Sequence, residues 1–223
     1  MVIAIDGPGG VGKSTVARGV AAALGYEYLD TGSTYRAATL AVLQAGVDPE
    51  DADAVLDVAR HCVIEYIDGA IHLDGYPVPD AVRSPDVTAA VSMVSAYPEV
   101  RALVVEMQRD WVASCGGSAV VEGRDIGTVV FPEALVKVFL TARPEVRAAR
   151  RSGDAEAAGK DVGVIAAELE QRDHHDSTRE ASPLQPADDA EIVDTSDLDA
   201  AGVISVVLEL VAAARKRQER GPL

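Results

Sequence analysis

The chain has 223 residues, 48 % hydrophobic and 25 % charged, enough apolar material for one α/β domain with a small insert and too much for a disordered chain. A formal net charge of −16 argues against long nucleic acid as a partner, but local charge can still hold a small anion. Cys62 and Cys115 lack metal-ligand spacing and are expected to be small buried apolar residues of a cytoplasmic protein. No charged leader precedes the strand-like Val2-Ile3-Ala4-Ile5, and no apolar run reaches the ~18 residues of a membrane span.

Strand-like and helix-like segments alternate, the pattern of a parallel sheet covered by helices. A first strand over Val2–Ile5 leads through a Gly-rich turn into a helix from Lys13 to Leu24, which Gly25 is placed to end. Tyr26–Leu29 reads as a second strand and Ser33–Ala45 as a helix. Asp48-Pro49 reads as the cap and first-turn proline of a helix running to Arg60.

The pattern then changes. Cys62–Ile67, Ala70–Leu73 and Tyr76–Val78 are short β-like runs separated by Asp68-Gly69 and Asp74-Gly75, which predicts a three-stranded antiparallel meander. Helices resume near Pro85–Ala96 and Pro98–Ser114, and strands at Ala119–Glu122, Val136–Thr141 and Glu191–Asp194. Between the last two strands lie helices near Pro144–Arg151 and Val162–Asp173. Val203, Val207, Leu210, Val211 and Ala214 repeat with helical spacing, as in a terminal helix docked on a core.

Gly7-Pro8-Gly9-Gly10-Val11-Gly12-Lys13-Ser14 is an intact G-x-x-x-x-G-K-[ST] between a hydrophobic strand and a helix, followed by Thr15. Its glycines let backbone N–H groups turn inward on phosphate oxygens, and the helix N-terminus faces the same anion. Lys13 is expected at the β- and γ-phosphates of ATP, and the Ser14 hydroxyl on Mg²⁺. The absence of asparagine removes the N-K-x-D guanine reader, so a GTPase switch is disfavoured.

Three segments offer an acceptor site. Asp30-Thr31-Gly32-Ser33-Thr34-Tyr35-Arg36 follows the second strand, where Arg36 could clamp a phosphate or the polar residues could simply cap a helix. Val121-Glu122-Gly123-Arg124-Asp125-Ile126-Gly127-Thr128 delivers a guanidinium and two carboxylates to a strand end, more charge than burial tolerates without a use or a partner. Arg143, Arg147, Arg150 and Arg151 either form a solvated helix face or, with the segment from Gln171 to Arg179, belong to a closing lid. The adjacent His174 and His175 point different ways on a helix and are expected to face solvent. No general base suited to a hydroxyl acceptor stands out, whereas a phosphate acceptor needs none, being largely a dianion at pH 7.

The residues resemble the bacterial cytidylate (CMP) kinase family over essentially the whole length. The match rests on Ile5-Asp6-Gly7-Pro8 with the P-loop, Leu29-Asp30-Thr31-Gly32 with Tyr35-Arg36, and the run Gly123-Arg124-Asp125-Ile126-Gly127-Thr128-Val129-Val130-Phe131-Pro132. Gln171-Arg172-Asp173 and Ser182-Pro183-Leu184 extend it. The resemblance implies a single adenylate-kinase-like α/β domain over 1–223, a parallel sheet flanked by helices. Within it lie an antiparallel acceptor-binding insert at about 62–98 and a helical lid at about 145–180.

It further implies that the matching Ser92, Arg101 and Asp125 read cytosine, that Arg36, Arg124 and Arg179 hold the acceptor phosphate, and that Arg172 and Asp176 lie at the sugar. Thr31 joins that acceptor set, and Lys13, Arg124, Arg151 and Arg179 carry the transfer. The expected reaction passes the γ-phosphoryl of ATP, with Mg²⁺, to CMP or dCMP in a monomeric cytoplasmic enzyme. A P-loop kinase for UMP or a hydroxyl metabolite, or a nucleotide switch without transfer, are the alternatives. Glu122 stands where many relatives are expected to carry Asp, and the 152–161 stretch is small and acidic.

Overall fold

The computed structural model describes residues 1–67, 69–153, 157 and 159–220. Part of the expected Asp68-Gly69 turn and part of the acidic 152–161 stretch lie outside the described residues. A parallel five-stranded sheet carries the fold: β1 (Val2–Asp6), β2 (Glu27–Asp30), β6 (Ala119–Gly123), β7 (Val136–Thr141) and β8 (Glu191–Asp194), in the spatial order β2-β6-β1-β7-β8. A second, antiparallel sheet orders β3 (Ile64–Ile67), β4 (Ala70–Leu73) and β5 (Tyr76–Pro77), the meander expected from the Asp-Gly turns.

Alternation along the central strands divides the core. Ile3, Ile5, Val120, Val138 and Leu140 face α1 (Lys13–Leu24) and α8 (Ala200–Glu219). Ala4, Val121 and Ala119 point the other way, toward Val105 and Val112 of α5 (Pro98–Ser114). Each strand therefore buries both faces, and the near-continuous apolar runs of β1 and β6 follow from that. α2 (Thr31–Gln44) packs on the antiparallel sheet through Ala37, Ala38, Leu40 and Ala41. With Tyr35 and Val42 it also meets α3 (Ala52–His61), α4 (Pro85–Val94) and α5. A far smaller cluster, Ala148, Ala157, Ile165 and Leu169, joins α6 (Pro144–Ser152) to α7 (Val162–Thr178). Among the described residues no helix is long and apolar enough to cross a membrane.

Three expectations change. The cap of α3 is Asp51, whose side chain accepts from Ala54 N at 3.1 Å; Asp48 and Pro49 form the turn before it, closed by Asp51 N donating to Asp48 O. α7 continues past Asp173 to Thr178, because its buried stripe turns from Ile165 and Leu169 to Asp176, which an apolar period cannot reveal. Cys62 and Cys115 are half-buried rather than buried.

Candidate active site

The P-loop joins β1 to α1 at the C-terminal edge of the sheet. Gly10 has φ +78°, and a Cβ there would lie 2.8 Å from Arg147 O, so both backbone conformation and space demand glycine. Val11 sits in the core at 1 % exposure and anchors the loop. The Lys13 ammonium donates to Pro8 O at 2.8 Å. Burial, then the Arg124 guanidinium, pushes the Lys13 pKa down to about 7, against the pull of Glu122 and Asp6. Ser14 and Thr15 are exposed at the start of α1, with the Ser14 side chain near the Glu122 carboxylate.

Around this loop lie two further carboxylates, Asp6 and Glu122. Asp6 closes β1 and accepts from Ile126 N and Gly127 N, both at 2.8 Å, pinning the single π turn of Ile126–Val130 that follows Arg124 and Asp125. Burial pushes the Asp6 carboxyl up to about 6 despite those two bonds. Glu122 is buried against the Tyr28 hydroxyl, which donates to it, and the Arg18 guanidinium lies 4.7 Å over the Tyr28 ring. Burial, then Asp30, raises the Glu122 pKa, with Lys13 pulling the other way. The longer arm of glutamate is thus held by the Tyr28 hydroxyl.

The arginines of the sequence motifs converge beside the loop. Arg124 Nε donates to Asp176 Oδ2 at 2.9 Å, and Arg179 Nη1 stands 3.6 Å from Asp176 Oδ1. Arg172 and Asp176 share one face of α7 at i and i+4, and Arg179 follows as the C-cap residue just past the helix end. Burial alone would raise the Asp176 pKa, yet Arg124, Arg172 and Arg179 together hold it low. Burial and the Arg124 charge push Arg172 down to about 10; Arg36 and Arg151 also repel it. Burial, then Arg101, lowers Arg179. Arg172 Nε and Arg179 Nη2 are buried without a hydrogen-bond partner. A chain of net charge −16 has concentrated guanidinium groups here beyond what its local carboxylates neutralise, which marks a basin for an anion.

Arg36 is buried and donates to Val82 O at 3.1 Å and Thr88 Oγ1 at 2.9 Å, tying α2 to α4 and the turn before it. Arg101 and Asp125 form a buried ion pair at 2.5 Å, each side chain 4 % exposed, with Arg101 stacked over Tyr35 and donating to Ser95 O. Arg101 is therefore no surface residue of α5. Ser92, half-buried on α4, lines a cleft of about 330 Å³ with His175, Asp176, Thr178 and Arg179; its hydroxyl is not bonded to the Arg101–Asp125 pair. His174 and His175 are exposed, as expected. Thr31 is buried with its hydroxyl spent on Glu122 O at 2.6 Å, while Asp30 caps α2 through Ser33 N.

The Arg run on α6 is not a uniformly solvated face. Arg143 is exposed and pairs with Asp197 and Glu145, but Arg147 and Arg150 turn inward to the P-loop carbonyls of Gly9 and Val11. Arg150 also donates to Thr195 Oγ1 at 2.8 Å, and Thr195 in turn donates to Val11 O. Arg151 is half-buried within reach of Arg172. Asp6, Tyr28 and Thr195 were missed because each acts across the fold, and Arg147 was named without its partners. The acid ending a hydrophobic strand just before a P-loop was the available signal for Asp6.

A family model described as cytidylate kinase matches residues 3–213. A cytidylate kinase of Mycobacterium avium is 53 % identical over 225 residues, covering 98 % of this chain and 97 % of that one. A cytidylate kinase of Corynebacterium glutamicum is 47 % identical, with 99 % and 98 % covered. Among solved structures, an uncharacterized protein from Eubacterium ventriosum superposes with a TM-score of 0.55 at 13 % identity over 96 % of this chain and 98 % of that one, a likeness of fold alone. With the sheet, the P-loop and the arginine basin in place, these matches make the chain a member of the cytidylate kinase family.

Proposed function

We propose that the chain transfers the γ-phosphoryl group of ATP to CMP or dCMP, giving ADP and CDP or dCDP. The observation that carries this reading is the buried Arg101–Asp125 pair beside the basin formed by Arg36, Arg124, Arg172 and Arg179. It joins a reader of a polar base edge to a holder of a phosphate. Asp125 accepts from the cytosine amino group, while Arg101 and Ser92 donate to the ring nitrogen and carbonyl. Uracil reverses part of that pattern and leaves buried groups unpaired.

Arg36, Arg124 and Arg179 hold the acceptor phosphate, Thr31 shapes the floor of its site, and Arg172 with Asp176 lies at the sugar. The acceptor phosphate is itself the nucleophile and needs no base. Asp125 and Asp176, the carboxylates paired with Arg101 and Arg124, are not free to serve as a base, which suits this acceptor better than a hydroxyl. On the donor side, residues 7–15 cradle ATP, and Lys13 with Arg151 balances charge on the transferring group. The antiparallel segment at about 62–98 serves as the acceptor insert, and about 145–180 as a lid that excludes water.

Mg²⁺ fits the donor side. The described residues contain no cluster of three or more acidic, His or Cys ligands, while the Ser14 hydroxyl beside Glu122 offers the few ligands Mg²⁺ takes when phosphates supply the rest. When bound there, Mg²⁺ would neutralise charge on the β- and γ-phosphates. Every residue named comes from one copy of the chain, which supports a monomer, and the use of ATP and CMP supports a cytoplasmic setting.

The test is ADP formation with ATP and Mg²⁺ across CMP, dCMP, UMP, AMP, GMP and shikimate. Turnover with CMP and dCMP well above the others is expected. Preference for UMP or AMP would overturn the base-reading residues, and absence of any acceptor-dependent turnover would overturn transfer itself.

A further inference from the structure

We propose that Asp173 is a positioning residue that, through Arg147, seats the α6–α7 pair on the P-loop and so keeps water from the donor phosphates. The inference rests on the transfer reading above and concerns how that site closes.

Three bonds meet on one glycine. Asp173 Oδ1 accepts from Gly9 N at 3.3 Å, Asp173 Oδ2 pairs with the Arg147 guanidinium, and Arg147 Nε donates back to Gly9 O at 2.6 Å. Both backbone polar groups of Gly9 are thereby satisfied by a single ion pair drawn from two helices. The pair is mostly withdrawn from water, its side chains 12 % and 19 % exposed, so it is less weakened by solvent than a surface bridge.

Packing agrees. A Cβ on Gly9 would lie 2.8 Å from Leu169 Cδ2, and one on Gly10 would lie 2.8 Å from Arg147 O, so both helices touch the loop. On α7, Leu169 and Asp173 are one turn apart and grip the loop, while Arg172 and Asp176 run along the neighbouring stripe toward Arg124, with Arg179 just past the helix end. One helix thus connects donor loop and acceptor basin.

The apolar contribution to this docking is small. The apolar cluster between α6 and α7 consists of Ala148, Ile165 and Leu169 with Ala157 from the connection, and Ala166 at its edge. Arg150 anchors α6 separately to Val11 O and Thr195, so the Arg147–Asp173 pair seats α7 on the donor loop while Arg124–Asp176 ties its far end to the acceptor basin. Segments held by few apolar contacts are those that open first. A closure that fails exposes the donor phosphates to water and misaligns them for transfer.

The experiment compares the full-length chain with Asp173→Asn, Asp173→Glu and Arg147→Met. ADP is measured from ATP and Mg²⁺ with and without CMP. Asp173→Asn and Arg147→Met are each expected to lower CMP-dependent kcat on the order of tenfold or more. The KM for CMP should stay within about twofold, because the acceptor contacts remain. The ratio of acceptor-independent hydrolysis to transfer should rise, and Asp173→Glu should recover part of the transfer. Undiminished kcat, an unchanged ratio, or a loss confined to the KM for CMP would each overturn the role. Should Asp173→Asn fail to fold, Arg147→Met decides, since methionine keeps the stem that packs on Gly10. Wild-type enzyme inactive with CMP would overturn the acceptor reading alone. The ATP-only arm would still read closure, with hydrolysis higher in the variants supporting the role and equal hydrolysis overturning it.

Discussion

Asp176, on α7, accepts from Arg124 Nε at 2.9 Å, although Arg124 belongs to the segment leaving β6, 52 positions earlier. This bond fixes Arg124 against two like charges, Arg172 and Arg179, which also face Asp176. Removing the carboxylate leaves three guanidinium groups to repel one another. Asp176→Ala is therefore expected to raise the KM for CMP and to lower kcat, while Arg124→Ala loses on the order of 10²–10³ in kcat with its circular dichroism unchanged. Near-normal kinetics in either purified variant would remove that residue from the acceptor site.

Lys13 predicts a proton linkage to ATP. Its pKa, held near 7 by burial and Arg124, lies far below the 10.5 of a free lysine. The folded chain thus binds fewer protons than the unfolded chain between those values, and this group's burial cost is relieved as pH rises from about 7 to 10.5. A triphosphate at the P-loop restores the ammonium form. Calorimetry at pH 8 in buffers of differing ionisation enthalpy should detect uptake approaching about one proton per ATP, absent in Lys13→Met. Binding without uptake would mean that Lys13 is already charged.

Asp6 holds the π turn by two amides from Ile126 and Gly127. Asp6→Ala orphans both and should cost about 1–3 kcal/mol in a denaturant titration. Turnover should fall further, because Arg124 and Asp125 lead into that turn. With a folded pKa of about 6 against 3.8, Asp6 binds its proton earlier in the folded state, so its contribution to stability falls as pH rises from 3.8 to 6. Asp6→Asn should remove that slope; a slope identical to wild type would assign it elsewhere.

The Arg101–Asp125 pair separates specificity from stability. Both side chains are buried, so Asp125→Ala strands a guanidinium and should cost about 3–5 kcal/mol in addition to eroding the preference for CMP over UMP. Replacing both partners, as Arg101→Met with Asp125→Leu, should recover most of the stability and none of the preference. A double variant that still discriminates CMP from UMP would place base reading elsewhere.

Local pattern was enough for the P-loop, because its glycines, Lys13 and Ser14 act within one strand-turn-helix unit. The Asp-Gly turns likewise disclosed the antiparallel meander, and most helix bounds followed from apolar spacing and from Gly25. Local chemistry misplaced the cap of α3, since Asp48, Pro49 and Asp51 are all plausible starts and only the backbone turn chooses among them. Resemblance named the arginines but not their partners.

Amino-acid order by itself determined the alternating α/β plan, the phosphate cradle, and the stock of guanidinium and carboxylate groups available to a site. Tertiary structure decided which of them meet. It buried Arg101 on Asp125 instead of leaving it on a helix surface, turned Arg147 and Arg150 inward from a run that reads as solvated, and set Tyr28 against Glu122. The physical reason is that a charge's partner depends on the packing of elements distant in sequence, as with Gly9 and Asp173, 164 positions apart. Burial then fixes the cost of leaving that charge alone, and no local period records either quantity.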